Sequence, residues 1–96
     1  MTPPEAIAAV LAEFGNSPTA LAREIGGEVK RQNVEQWVLL GRVPPTHCPA
    51  VERIVEGRIT ADQLCAPDQR WARIKDKAWP WHPQGRPVLD VAKMVA

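Results

Sequence analysis

Residues 17–42 read SPTALAREIGGEVKRQNVEQWVLLGR, and this stretch decides the fold. Ser17 is an oxygen-bearing N-cap, and Pro18 follows it at the first helical position, where a missing N–H is harmless. Ala20, Leu21, Glu24 and Ile25 complete about two turns before Gly26-Gly27 stops the helix. A second helix is predicted from about Val29 to Leu40, with Gly41 ending it. Val29, Val34 and Trp37 face inward, and Val38 is a further candidate for that side. Lys30, Arg31, Gln32, Asn33, Glu35 and Gln36 are left outside. A short helix, a glycine turn and a second helix with a cationic and carboxamide face form the order of a helix-turn-helix. Ala22 is small where the two helices cross, and Gly26 supplies the left-handed turn.

Upstream, Thr2 caps a helix over Pro3–Phe14 whose stripe is Ile7, Val10, Leu11 and Phe14, with Glu5 suited to the positive helix end. Downstream, a fourth helix is predicted over Pro45–Glu56, with Pro49 in its first turn and Val51, Ile54 and Val55 on the core side. Thr60 and Gln63 then make a capping box for a short fifth helix that carries Leu64 and Cys65. The expected fold is all-α, a compact five-helix bundle over residues 1–66. Residues 67–96 form an irregular arm that holds four of the ten prolines and three of the four tryptophans. In it, Trp71 and Ile74 suit a docked turn, Trp79-Pro80-Trp81-His82-Pro83 is expected to be extended, and Val88, Leu89, Val91, Met94 and Val95 end it as strand or helix.

The run SPTALAREIGGEVKRQNVEQWVLLGRVPPTHCPAVERIVEGRITADQL resembles the Cro and YdaS-like prophage regulators. The likeness is carried by Leu21-Ala22-Arg23, Gln36-Trp37, Gly41-Arg42-Val43-Pro44 and Cys48-Pro49-Ala50-Val51-Glu52 in that order, over about residues 15–66. It implies a DNA-binding domain of the lambda-repressor type, acting as a regulator of a phage or toxin–antitoxin promoter or as the antitoxin-like partner of a toxin. One departure is Gly27-Glu28, two residues more than the family's turn uses.

Chemistry assigns roles on that fold. Lys30 and Arg31 suit phosphates or the O6 and N7 acceptors of guanine, while Gln32, Asn33 and Gln36 carry the paired donor and acceptor that adenine's major-groove edge requires. Thr19 and Arg42 are placed to clamp the backbone. The bland reading of the same side chains is a solvated helix face. Trp37 shares the apolar register of Val34 and is read as core, not as a base-stacking residue.

With twelve Lys+Arg against eleven Asp+Glu the chain carries a net charge of +1, so the cationic segment is local and dimerisation gains importance. The arm's tryptophans would be adhesive in water. Trp71, Trp79, Trp81, Val88 and Leu89 are therefore expected to make a homodimer contact, with packing on the chain's own body the alternative. Arg70, Arg73, Lys75 and Lys77 either add phosphate contacts or form a solvated face. His47, Cys48, Cys65 and His82 lack the spacing of a zinc site, and no nucleophile–base–oxyanion set or phosphate-binding glycine motif is present. The expectations are no enzyme, no cofactor and no metal. No apolar run approaches ~20 residues and the N-terminus lacks a signal-peptide order, so a cytoplasmic protein with no membrane partner is expected. The rival function is a protein-interaction module whose Trp-rich arm captures a partner protein.

Overall fold

The computed structural model describes residues 1–66 and 69–89. Five short helices run in order: α1 (Pro3–Glu13), α2 (Pro18–Ile25), α3 (Arg31–Leu40), α4 (Cys48–Ile54) and α5 (Ala61–Leu64), with a 3₁₀ turn, Pro45–His47, before α4. Their starts follow from the expected caps. At α1, Thr2 Oγ1 accepts from the Glu5 N–H, and Glu5 Oε1 accepts from the Thr2 N–H at 3.0 Å. At α2, Ser17 Oγ accepts from the Ala20 N–H at 3.1 Å. At α5, Gln63 Oε1 accepts from the Thr60 N–H at 2.9 Å. Each capping group satisfies a donor that the first helical turn leaves orphaned.

Two helix starts differ from those expected. α3 begins at Arg31 instead of Val29, because Gly26 and Gly27 both take left-handed backbone (φ 77° and 61°) and Lys30 is an extended N-cap. The two additional turn residues are thus absorbed ahead of the helix. The fourth helix is split: Pro49 has no N–H to donate to the Pro45 carbonyl, so the chain makes a 3₁₀ turn and α-helix starts at Cys48.

The all-α expectation is corrected on the C-terminal side. Trp71–Ile74 forms β1 and Arg86–Leu89 forms β2, an antiparallel pair with Trp71 opposite Leu89 and Ile74 opposite Arg86. The alternation of WARI and the β-forming Val88-Leu89 pair suit a pleated surface, and their partner strand makes the ladder possible. Gly85 closes the hairpin with φ 96°, and a Cβ there would stand 1.9 Å from the Ile74 carbonyl oxygen. The segment around Trp79–Pro83 is folded into turns, not extended. Trp79 N–H donates to the Asp76 carbonyl and Gly85 N–H to that of His82, at 3.0 and 3.1 Å. Val91, Met94 and Val95 lie outside the described residues.

α2 packs on α3, α1 on α5 and α3, α4 on α2 and α5, and β2 rests on α4. The core runs through all five helices, from Ile7 and Val10 through Val34 and Trp37 to Val51, Val55 and Leu64. Cys48 and Cys65 meet inside it, Sγ to Sγ at 2.7 Å. Contact with the Cys65 thiol, followed by burial, pushes the Cys48 thiol above its ordinary range, so it stays protonated. Among the described residues no helix is long and apolar enough to cross a membrane, and no three His, Cys, Asp or Glu gather as a metal site.

Candidate nucleic-acid interface

α3 is fastened from beneath. Val34 and Trp37 are buried, and the His47 ring packs over the Trp37 indole with centroids 5.2 Å apart. Trp37 is therefore a core residue. With that side anchored, helical geometry turns Arg31, Gln32, Asn33, Glu35 and Gln36 outward, and all five are exposed. Lys30 precedes them at the N-cap, Thr19 stands exposed in the first turn of α2, and Arg42 follows the left-handed Gly41 at the far end. Thus Lys30, Arg31, Gln32, Asn33, Glu35 and Gln36 stand exposed around the N-terminal half of α3, while Thr19 and Arg42 sit on flanking elements.

Two of these side chains already have local work. Asn33 Oδ1 accepts from the Lys30 N–H at 2.8 Å, holding the start of α3, so its amide N–H₂ is the group directed elsewhere. Arg31 Nε lies 3.5 Å from Glu35 Oε1, an exposed i,i+4 pair that is worth only a few tenths of a kcal/mol, about 0.3–0.5. Such a pair yields readily to a phosphate. Gln32 and Gln36, one turn apart, carry both donor and acceptor into solvent. Glu28 is exposed in the turn before them.

The C-terminal half of α3 is different. Val38, Leu39 and Leu40 are 45%, 81% and 50% exposed. Val38 does not join the core, because the Val34–Trp37 side already fills the contact with α2 and α1.

The arm's residues are divided. Trp79 is 8% exposed and Trp81 packs against it in a tilted arrangement, ring centroids 5.5 Å apart, while lying over Gly57. Trp71, Val88 and Leu89 are half-buried beside Pro45 and Pro49 in an apolar groove of about 330 Å³. Arg73 belongs neither to a phosphate-facing nor to a solvated surface. Its guanidinium grips buried Glu52 with two bonds, 2.6 and 3.0 Å, and also donates to the Gly85 carbonyl. Glu52, fully buried in α4, accepts further bonds from Trp79 Nε1–H at 2.6 Å and the Ala61 N–H at 2.8 Å. Burial pushes the Glu52 carboxyl upward, but the bonds from Arg73, Ala61 and Trp79, with the Arg73 charge, outweigh it and hold the group below its usual range. The residue reading missed this cluster. Its signal was available: Glu52 falls in line with Cys48 and Val55 at i, i+4, i+7, and a carboxylate in a core register needs a buried cation.

In comparison with known proteins, the model of the family described as "Bacterial toxin YdaS" fits residues 7–74, from α1 through β1. No curated protein and no solved structure matches the chain.

Proposed function

The chain belongs to the YdaS family, and from that premise we propose that it is a non-catalytic, sequence-specific DNA-binding regulator of a phage or toxin–antitoxin promoter, acting in the cytoplasm. α3 enters the major groove. Gln32 and Gln36 address base edges, Lys30 and Arg31 address guanine or phosphate, and Asn33 contributes its amide N–H₂. Thr19 and Arg42 hold the backbone on either side. The single observation that carries this reading is the two-sidedness of α3: Val34 and Trp37 anchor it underneath, while a cationic and carboxamide surface is presented outward at its N-terminal half. Two copies would be needed to span half-sites about one DNA turn apart, and a toxin is a further candidate partner.

The rival reading, a partner-capturing arm, has less support. Trp79 and Arg73 are spent on Glu52, and Trp81 lies on Gly57.

A salt titration tests the proposal on the DNA upstream of the protein's own gene. If Lys30, Arg31 and Arg42 each meet phosphate, log affinity falls with log salt at a slope of roughly −3 per protomer. Arg31→Ala with Gln32→Ala weakens binding about tenfold or more. Affinity that ignores both salt and this double substitution, with the helical spectrum intact, rejects the proposal.

A further inference from the structure

Cys48 and Cys65 are the chain's two cysteines, and the fold brings them together from different helices. Cys48 is the first residue of α4, and Cys65 caps the end of α5. Their sulfur atoms stand 2.7 Å apart, so roughly 0.7 Å of approach separates the pair from the ~2.05 Å of an S–S bond. Both thiols also address one backbone group: the Val43 carbonyl lies 3.4 Å from Cys48 Sγ and 3.8 Å from Cys65 Sγ. Core packing asks only for two small apolar side chains here. It does not ask for two sulfur atoms in contact.

The pair is buried but not remote from the surface. A cleft of about 320 Å³ is lined by Arg42, Val43, Pro45, Ala66 and Gln69. Val43 supplies the carbonyl that both thiols address and Ala66 directly follows Cys65, so the cleft borders the backbone that covers the two sulfur atoms. On that side α5 is a single turn of four residues, and a one-turn helix opens locally at lower cost than the longer elements. A molecule as small as hydrogen peroxide needs only such an opening.

We propose that Cys48 and Cys65 form a modification site, a thiol pair that hydrogen peroxide oxidises to an intramolecular disulfide. When α5 opens, the Cys65 thiol gives its proton to solvent and the thiolate attacks one peroxide oxygen. The O–O bond breaks, leaving Cys65 as a sulfenic acid, and the departing oxygen takes up a proton and leaves as water. On closure the Cys48 sulfur attacks the Cys65 sulfur and loses its proton. The S–S bond forms, the S–O bond breaks and a second water leaves. Two thiols have lost two electrons and two protons, and one peroxide has become two waters. The bond closes residues 48–65 into a loop that holds α4 and α5, and it fixes the end of α5 to the start of α4. Because the cross-link restricts the unfolded chain, the oxidised form is the more stable one. A cytosolic reductant reverses it by thiol–disulfide exchange, so the bond acts as a transient lock on the helical body. It stands independently of the DNA-binding reading.

The test treats the folded, reduced chain with hydrogen peroxide at neutral pH, removes the oxidant with catalase, then unfolds the protein in the presence of an alkylating reagent. Untreated chain takes a label on each cysteine. Treated chain takes none, and its tryptic digest contains residues 43–53 joined to 59–70 through Cys48 and Cys65. In calorimetry the oxidised chain melts roughly 10 °C higher than the reduced one, and dithiothreitol restores the lower value. The same treatment leaves the melting temperature of Cys65→Ala unraised, and the wild-type comparison stands even where that variant folds poorly. Treated chain whose cysteines are both still labelled overturns the proposal. So does oxygen added to either cysteine without a bond between them, or a bond that joins two chains. A bond that forms within the chain without raising the melting temperature overturns the lock.

Discussion

Glu52 occupies a place on α4 where core packing would ordinarily take an aliphatic side chain. An isolated carboxylate there would be neutralised, because burying a charge without partners costs several kcal/mol. Four bonds from three donors reverse that balance, and removing one partner exposes the cost. Glu52→Gln leaves the Arg73 guanidinium, 8% exposed, without its counter-charge. It should lower stability by about 3–5 kcal/mol in urea unfolding. Replacing both residues, as in Glu52→Leu with Arg73→Met, should cost less than either single change, since an apolar pair leaves no stranded charge. Cys48 offers a second residue-level prediction. Its thiol is buried and kept protonated by Cys65, so a thiol reagent at neutral pH should label neither cysteine of the native protein and both after denaturation.

At the scale of the element, α3 and the hairpin depend on single positions for opposite reasons. α3 starts late and its N-cap is a lysine with no capping oxygen, so the Asn33 carboxamide carries that role in reverse. Asn33→Ala should cost about 0.5–1 kcal/mol by thermal melting and fray the residues proposed to meet DNA, reducing affinity more than the loss of one amide contact explains. In the hairpin the constraint is space as well as backbone. Gly85→Ala would set a methyl into the Ile74 carbonyl at positive φ, so β1 and β2 cannot keep their register. Trp79 would then leave its buried site, read as a red shift of tryptophan emission. The caps at Thr2, Ser17 and Thr60 were legible from sequence because each involves residues three apart. The hairpin was not: its strands are four residues long, separated by turns that hold two prolines, and neither strand is stable without the other.

Across the whole molecule, the bonds at Glu52 join the C-terminal segment to the helices, so the boundary read between 66 and 67 is not expected to be a line of independent folding. A chain ending at residue 66 lacks Arg73 and Trp79 and keeps Glu52 with the Ala61 bond alone; it should lose cooperative unfolding in calorimetry. The same carboxylate sets the acid response. Its native pKa lies below the ordinary value of 4.5, so the unfolded chain takes up the proton first. The Glu52 contribution is therefore full at neutral pH and declines as pH falls below about 4.5 through the lower native value. Melting temperature measured from pH 7 to 3 should follow this course, and Glu52→Gln should flatten it.

The amino-acid order by itself determined where α1, α2 and α5 start, which side of α3 is apolar, and that a glycine turn links it to α2. Those features rest on backbone donors, left-handed turns and a 3.6-residue period, all settled within a few positions. Tertiary structure alone decided that Arg73 and Trp79 turn inward to Glu52, 21 and 27 residues away, and that Val38, Leu39 and Leu40 stay in water. A charge or an indole can be satisfied by solvent, by a neighbour or by a second chain at similar local cost, and only the completed packing determines which of these partners lies within reach.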